Sequence, residues 1–228
     1  MNEPEQCCGG KHCPMDHNPM LWSILICTLK ERQKKFMDLT IFLMKQIKFH
    51  KLENEIEIIY LSDSLFDKNK MTIGEKRNNL INTANGKYIS FIDDDDMVSA
   101  DYVNSIYNRL LKAPDCVSIT GIMTTNGMMP KKFIHSLAYI TYYEKNNIYY
   151  RCPNHLNPML KAIALMVKFP EQSHGEDTDF ALRLQKTGLL KKEEFINYPI
   201  YFYQYVQKQI YKNDINQRKR DFNIKNKI

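Results

Sequence analysis

The feature that most constrains the fold of this chain is an apolar segment that runs directly into four consecutive aspartates. Residues 87–92 (KYISFI) have the pattern of a buried β-strand, and residues 93–96 (DDDD) follow without a spacer. Adjacent carboxylates raise one another's pKa and resist burial, so this four-aspartate run needs solvent or a bound cation. Ligands of open α/β sheets bind at the carboxyl ends of the strands. The run therefore predicts a metal or nucleotide site, with a solvated acidic turn as the alternative.

The rest of the chain alternates predicted strands and helices. This order favours an α/β fold with a Rossmann-like, mostly parallel central sheet flanked by helices. Further strands are predicted at residues 21–27, 56–61, 116–123, 162–167 and 195–204. Helices are predicted at residues 31–49, 74–85, about 99–110 and 177–186. Residues 124–157 mix Gly, Pro, Lys and several Tyr, so we expect loops and short strands there.

The chain length predicts one domain with two short extensions. A chain of 228 residues suffices for one sizeable core, which we assign to residues 21–205, after a flexible leader (1–20) and before a basic tail (206–228). The longest apolar run near the start, residues 20–27, is too short to span a bilayer. The first ten residues lack the basic segment and apolar core of a secretory signal. We therefore predict a soluble, cytoplasmic protein without a transmembrane segment.

Both extensions leave alternatives open. Five leader residues could supply four zinc ligands, but their spacing matches no regular zinc frame, so a flexible leader is favoured. These residues are Cys7, Cys8, His12, Cys13 and His17. The tail holds seven Lys or Arg and two Asp. A solubilising helical end is favoured there over contact with nucleic acid, an anionic membrane or an acidic partner.

Two separated motifs resemble glycosyltransferase family 2. Residues 74–78 (GEKRN), 84–89 (ANGKYI) and 91–96 (FIDDDD) are similar to the nucleotide-binding half of that family. Residues 175–184 (GEDTDFALRL) look like its acceptor-activating motif. The acidic motif alone is weak, but both motifs in this order are specific. The resemblance covers about residues 21–205 and implies a GT-A fold.

The resemblance also implies an activity. Members of the family are mostly inverting enzymes, so we expect a hexosyl or related sugar to move from a nucleotide-sugar, a UDP-sugar foremost, to an acceptor hydroxyl. Mn²⁺ or Mg²⁺ is the expected cofactor, because hard cations bind carboxylate and diphosphate oxygens. The acceptor could be a glycan, protein, lipid or nucleic acid, and nothing in the sequence selects among them.

On the donor side, the resemblance assigns roles within the four-aspartate run. Asp95 is the expected direct metal ligand, and Asp93 would hold the ribose or assist the ion. Asp94 is also assigned to nucleotide binding. A second register, Asp94 with Asp96, stays open; the first is favoured because the family pattern is usually an apolar strand followed by D-x-D-D.

Four further residues are expected to contact the nucleotide. Thr28 and Arg32 lie where the first strand ends, and Asp63 follows the second strand, where it would contact the base. Arg77, in the GEKRN segment, would help hold the nucleotide. Its alternative interpretation is an arginine on the surface of a helix.

On the acceptor side, Asp177 is the expected general base, and Glu176 would orient the acceptor or the base. A carboxylate within hydrogen-bond reach can take the proton of the attacking hydroxyl. The alternative is that both are acids favoured by a helix N-terminus, as Asp179 is expected to be. His155, within residues 153–158 (PNHLNP), could touch the donor phosphate or the acceptor, with a structural loop histidine as the alternative.

One departure from the family pattern concerns the metal shell. Many GT-A enzymes carry a late histidine that completes it, but residues 198–203 (YPIYFY) contain none. Solvent, the diphosphate or His174 could take that place.

The sequence leaves two other functions open. A GT-A-like nucleotidyltransferase usually opens with a glycine-rich phosphate loop, whereas residues 28–32 (TLKER) have no glycine. A non-catalytic nucleotide- or nucleic-acid-binding module would be either a decayed transferase, against which the retained Glu176–Asp177 pair argues, or a nucleic-acid binder that uses the basic tail.

Overall fold

The computed structural model describes residues 20–62 and 71–206. Asp63, the cysteines and histidines of the leader, and the basic tail beyond Val206 lie outside the described residues. The described strands are β1 (Trp22–Thr28), β2 (Ile56–Ser62), β3 (Tyr88–Phe91), β4 (Met97–Val98), β5 (Cys116–Thr125), β6 (Met128–His135), β7 (Tyr143–Lys145), β8 (Ile148–Arg151), β9 (Met159–Leu160) and β10 (Glu193–Tyr205). The α-helices are α1 (Gln33–Phe49), α2 (Ile73–Thr83), α3 (Tyr102–Leu110), α4 (Lys161–Val167) and α5 (Glu176–Thr187), and a 3₁₀ turn (Lys30–Arg32) precedes α1.

The strands form one mixed sheet. Their order is β2-β1-β3-β9-β5-β6-β8-β7, with β10 pairing β5 and β4. The two longest ladders, β5 with β10 and β1 with β2, are parallel, as is β1 with β3. The predicted α/β fold with a mostly parallel central sheet flanked by helices is therefore confirmed, and the antiparallel pairs involve β4, β6, β7 and β9.

The apolar pattern of β1 explains why helices cover both faces of the sheet. Side chains alternate across a strand, so Trp22 and Ile24 enter a core cluster with residues of α1 and α3, such as Leu43 and Ile106. Leu25 enters a second cluster with residues of α2, α4 and α5. A strand buried on both faces is read in sequence as a continuous apolar run.

The parallel pairing fixes where the functional residues lie. Leu25 of β1 is in register with Phe91 of β3, so both strands end at the same edge of the sheet. Thr28 and the four-aspartate run are consequently neighbours, although far apart in sequence.

One predicted element is wrong. Residues 162–167 were expected to form a strand, but they belong to α4. An apolar run of this length has no periodicity that separates strand from helix. Its Ala, Leu and Met favour helix, and Ile163, Ala164 and Val167 are buried at the spacing of one helix face. The late strand is confirmed as β10, with register shifts on both sides of Pro199.

No helix within residues 20–62 and 71–206 is long and apolar enough to cross a membrane. The domain limits at residues 21 and 205 and the cytoplasmic location stay predictions.

Candidate active site

The four-aspartate run leaves β3 at the carboxyl edge of the sheet and leads into β4. Its carboxylates alternate in exposure. Asp94 and Asp96 are buried, with 2% and 5% of their surface exposed. The side chains of Asp93 and Asp95 are 36% and 29% exposed. Two of the four carboxylates therefore serve the fold, and two face the open edge.

Asp94 anchors the end of β1. It accepts hydrogen bonds from the Thr28 hydroxyl at 2.8 Å, from Arg32 Nη1 at 2.8 Å and from the Leu29 amide at 3.4 Å. Arg32 Nη1 also lies 3.0 Å from Asp95. Three residues expected at the nucleotide, Thr28, Arg32 and Asp94, are thus brought together, but the Asp94 carboxylate is occupied by protein donors.

Asp96 is held by β10. The Tyr201 hydroxyl donates to it at 2.8 Å, and the Gln204 amide donates at 3.2 Å. Burial, reinforced by the Asp93 carboxylate, raises the pKa of Asp96 to about 8. Sequence reasoning missed Tyr201 and Gln204, because no local pattern links them to a carboxylate on a distant loop.

Asp93 lies between two groups on other elements. Arg77 Nη2 is 3.2 Å from one carboxylate oxygen, and His155 Nε2 is 3.4 Å from the other. Burial opposes ionisation, but His155 and Arg77 outweigh it and hold the pKa of Asp93 well below its usual range. Asp95 behaves differently: burial raises its pKa, and Asp94 and Asp93 add to this against the lowering effect of Arg32.

Arg77 connects the two motifs. Its guanidinium is buried between the rings of Phe91 and Phe169, at 5.5 and 5.3 Å from their centroids. It lies 3.2 Å from Asp93 and 3.0 Å from Glu176. The alternative of a surface helix arginine is therefore wrong, because Arg77 is 4% exposed.

Glu176 and Asp177 open α5 and differ in environment. Gly175 caps the helix with a φ of 75°, a conformation that glycine adopts without strain. Glu176 is 5% exposed, whereas Asp177 is half-buried. The negative charge of Asp177 contributes, after burial, to raising the pKa of Tyr142, so this tyrosine lies near Asp177.

His155 and His174 lie in different environments. His155 is buried and contacts Asp93, and its Nδ1 has no hydrogen-bond partner among the described residues. His174 is exposed in the loop before α5. Asp63, the expected contact of the nucleotide base, falls outside the described ranges.

Asp93 and Asp95, the two partly exposed carboxylates of the run, are the candidates to hold a divalent cation. Both offer hard oxygen donors, while Arg32 Nη1 lies 3.0 Å from Asp95 and both Asp93 oxygens have protein partners. Mg²⁺ is commonly held by one or two carboxylates plus phosphate oxygens of the substrate. Among the residues that the structure describes, no group of three or more His, Cys, Asp or Glu side chains could hold an ion.

This fold and this edge define a class of protein. A GT-A glycosyltransferase has helices on both faces of such a sheet. Here partly exposed carboxylates follow β3, and the acidic start of α5 is joined to them through Arg77. The family model for glycosyl transferase family 2 matches residues 48–185, more than half of the chain. The chain belongs to this family, which confirms the predicted family and the predicted kind of enzyme.

Solved structures of S. aureus TarS are similar in fold. The TarS 1-349 structure is 14% identical, with a TM-score of 0.55 over 81% of this chain and 60% of that chain. Its complex with UDP-GlcNAc is 16% identical, with a TM-score of 0.56 over 83% and 60%. The complex with UDP is 15% identical, with a TM-score of 0.54 over 81% and 60%. This chain therefore spans about 60% of the length of those TarS chains, and no curated protein sequence matches it.

Proposed function

We propose that this chain transfers a sugar from a nucleoside diphosphate sugar, with a UDP-sugar as the first choice, to an acceptor hydroxyl with inversion. The observation that carries the proposal is the link Asp93–Arg77–Glu176, with distances of 3.2 and 3.0 Å. This link connects Asp93, in the run that would bind the donor, with Glu176, at the helix start that would bind the acceptor. TarS structures with UDP-GlcNAc and UDP support a uridine nucleotide as the first ligand to test.

The donor side is assigned to the open edge of the sheet. Asp95 and Asp93 would hold Mn²⁺ or Mg²⁺, which when bound stabilises the negative charge that develops on the departing diphosphate. The Arg32 side chain is 43% exposed and can donate to the same diphosphate. Asp94, which also accepts from Thr28, keeps Arg32 in place rather than binding the donor itself.

The acceptor side is assigned to Asp177. Its carboxylate takes the proton of the attacking hydroxyl while the hydroxyl oxygen bonds to the anomeric carbon and the bond to the diphosphate breaks. Attack opposite the leaving group inverts the anomeric centre. Glu176 is suited to orienting rather than proton transfer, because it is buried and paired with Arg77.

The test combines binding and turnover. Calorimetry with UDP-GlcNAc and UDP, with and without Mn²⁺, measures donor binding, and UDP release to water or added acceptors measures turnover. Asp177→Asn should lower turnover by about a hundredfold or more, with an unchanged Kd for UDP. The anomeric configuration of the first product, read by NMR, tests inversion.

Asp179→Asn is the matched control. Asp179 lies on the same helix turn and pairs with Arg183 at 2.5 Å, and its loss should leave turnover close to wild type. The proposal is wrong if no nucleotide-sugar binds the wild-type chain. The role of Asp177 is wrong if both variants turn over equally.

A further inference from the structure

Tyr201 touches both ends of the four-aspartate run with one oxygen atom. Its hydroxyl donates to the Asp96 carboxylate at 2.8 Å and accepts from the Asp93 amide at 3.2 Å. The residue is fully buried on β10, and Phe133 packs against its ring at a centroid distance of 6.4 Å. A hydroxyl can donate one hydrogen bond and accept another, whereas phenylalanine at this position can do neither.

The backbone around Tyr201 is fixed as well. Tyr201 pairs with Val98 of β4, two residues beyond the four-aspartate run, and with Gly121 of β5. A Cβ added to Gly121 would lie 2.5 Å from the Tyr201 carbonyl oxygen, so the two strands approach closely here. The Tyr201 hydroxyl is therefore a fixed point to which the loop is attached.

We infer that Tyr201 is a positioning residue that holds the four-aspartate run in the curvature that turns Asp93 and Asp95 outward. The run closes on itself through the Asp96 amide, which donates to the Asp93 carbonyl at 3.1 Å. The Tyr201 hydroxyl contacts this turn from its buried side, so the carboxylates of Asp93 and Asp95 keep a fixed separation. The inference rests on the proposed function, since the outward pair is where the cation and the diphosphate would bind.

This role differs from that of a histidine late in the chain that would coordinate the metal ion directly. In this chain the segment around Tyr201 has no histidine, and its tyrosine acts through Asp93 and Asp96 from the buried side. Loss of its hydroxyl should therefore weaken cation-dependent binding while leaving the nucleotide's other contacts in place.

Calorimetry with UDP alone and with UDP plus Mn²⁺ tests this on the full chain. Tyr201→Phe keeps the ring and removes the hydroxyl. We expect its UDP affinity with Mn²⁺ to fall about tenfold, consistent with the loss of two hydrogen bonds, and its affinity without Mn²⁺ to change little. A merely structural role would lower both affinities alike, or neither, and would overturn the inference.

Tyr198→Phe is the matched control. Tyr198 is on the same strand, and its hydroxyl contacts Ser105 at 2.7 Å, away from the four-aspartate run. It should bind UDP and Mn²⁺ like the wild type. If the wild-type chain itself does not bind UDP with Mn²⁺, the proposed function fails and the inference fails with it. If the wild type binds and Tyr201→Phe binds equally well, only the inference fails.

The same substitution in a second background separates the two contacts of the Tyr201 hydroxyl. Asp96→Asn removes the titratable carboxyl group that the Tyr201 hydroxyl contacts but keeps the Asp93 amide contact available. Adding Tyr201→Phe to it should still lower Mn²⁺-dependent UDP affinity, by a smaller factor than in the wild-type background, because the two residues share one contact. Equal affinity of the single and double variants would overturn the inference.

Discussion

The Arg77 guanidinium lies 3.0 Å from the Glu176 carboxylate, and both side chains are buried. The same guanidinium reaches Asp93, so α2 ties the four-aspartate run to the start of α5. A pair of charges taken out of water is stable only while each has its partner. The two halves of the candidate site are thus held together by one side chain.

Replacing Arg77 should therefore destabilise the fold strongly. Arg77→Met keeps similar bulk between Phe91 and Phe169 but leaves Glu176 buried without a cation, and we expect a loss of about 3–5 kcal/mol in the free energy of unfolding. Urea unfolding measures it. The control Lys112→Met breaks an exposed pair with Glu194 and should cost about 1 kcal/mol or less. Similar losses in both variants would contradict the buried link.

Stability should depend on pH through Asp96. Its pKa in the folded chain is about 8, above the ordinary 3.8, so the folded state binds this proton more tightly than the unfolded state. Its stabilising contribution is complete below about pH 4 and is lost as the pH rises through 8.

Asp96→Asn should remove that dependence. The melting temperature of the variant, relative to the wild type, should be higher at pH 9 than at pH 5, as measured by scanning calorimetry. Asp38→Asn removes an exposed acid of α1 and serves as the control. A relative melting temperature that does not change with pH would show that Asp96 titrates normally.

Two adjacent aspartates should respond differently to the same change. Asp95→Asn should alter stability by only about 0.5 kcal/mol but weaken UDP binding in the presence of Mn²⁺, because Asp95 faces the open edge. Asp94→Asn should destabilise the fold by about 1–3 kcal/mol, because it loses a charged partner of Arg32. Urea unfolding and calorimetry measure both. The reverse pattern would favour the Asp94–Asp96 register.

Gly74 should not tolerate a side chain. A Cβ there would lie 1.8 Å from the Pro170 carbonyl oxygen, in the segment that leads to α5. Gly74→Ala should therefore destabilise the chain by about 1–3 kcal/mol and lower turnover more than UDP affinity. Asn79→Ala, at an exposed position of α2, should be nearly neutral in both unfolding and turnover. Equal free energies of unfolding and equal turnover in the two variants would show that the segment around Pro170 moves to make room for the methyl group.

The sequence is informative where a signal is local. The apolar runs of β1, β2 and β5 and the acids after β3 are read from neighbouring residues, and all these strands form. The run at residues 162–167 fails because its apolar pattern suits either a strand or a helix, and tertiary packing decides. The inward turn of Asp94 and Asp96 depends on partners such as Thr28 and Tyr201, which only the sheet topology brings near.

The alternation along the four-aspartate run has a consequence for its variants. Because Asp94 and Asp96 point inward and Asp93 and Asp95 outward, the place of each acid in the run matters more than the number of acids. Because the four residues are identical, deleting one aspartate would leave acids at the first three places and bring Met97 into the place of Asp96, where the Tyr201 hydroxyl and the Gln204 amide would lose their carboxylate partner. Such a deletion should be as harmful as losing the motif, although a count of acidic residues would rank it as mild.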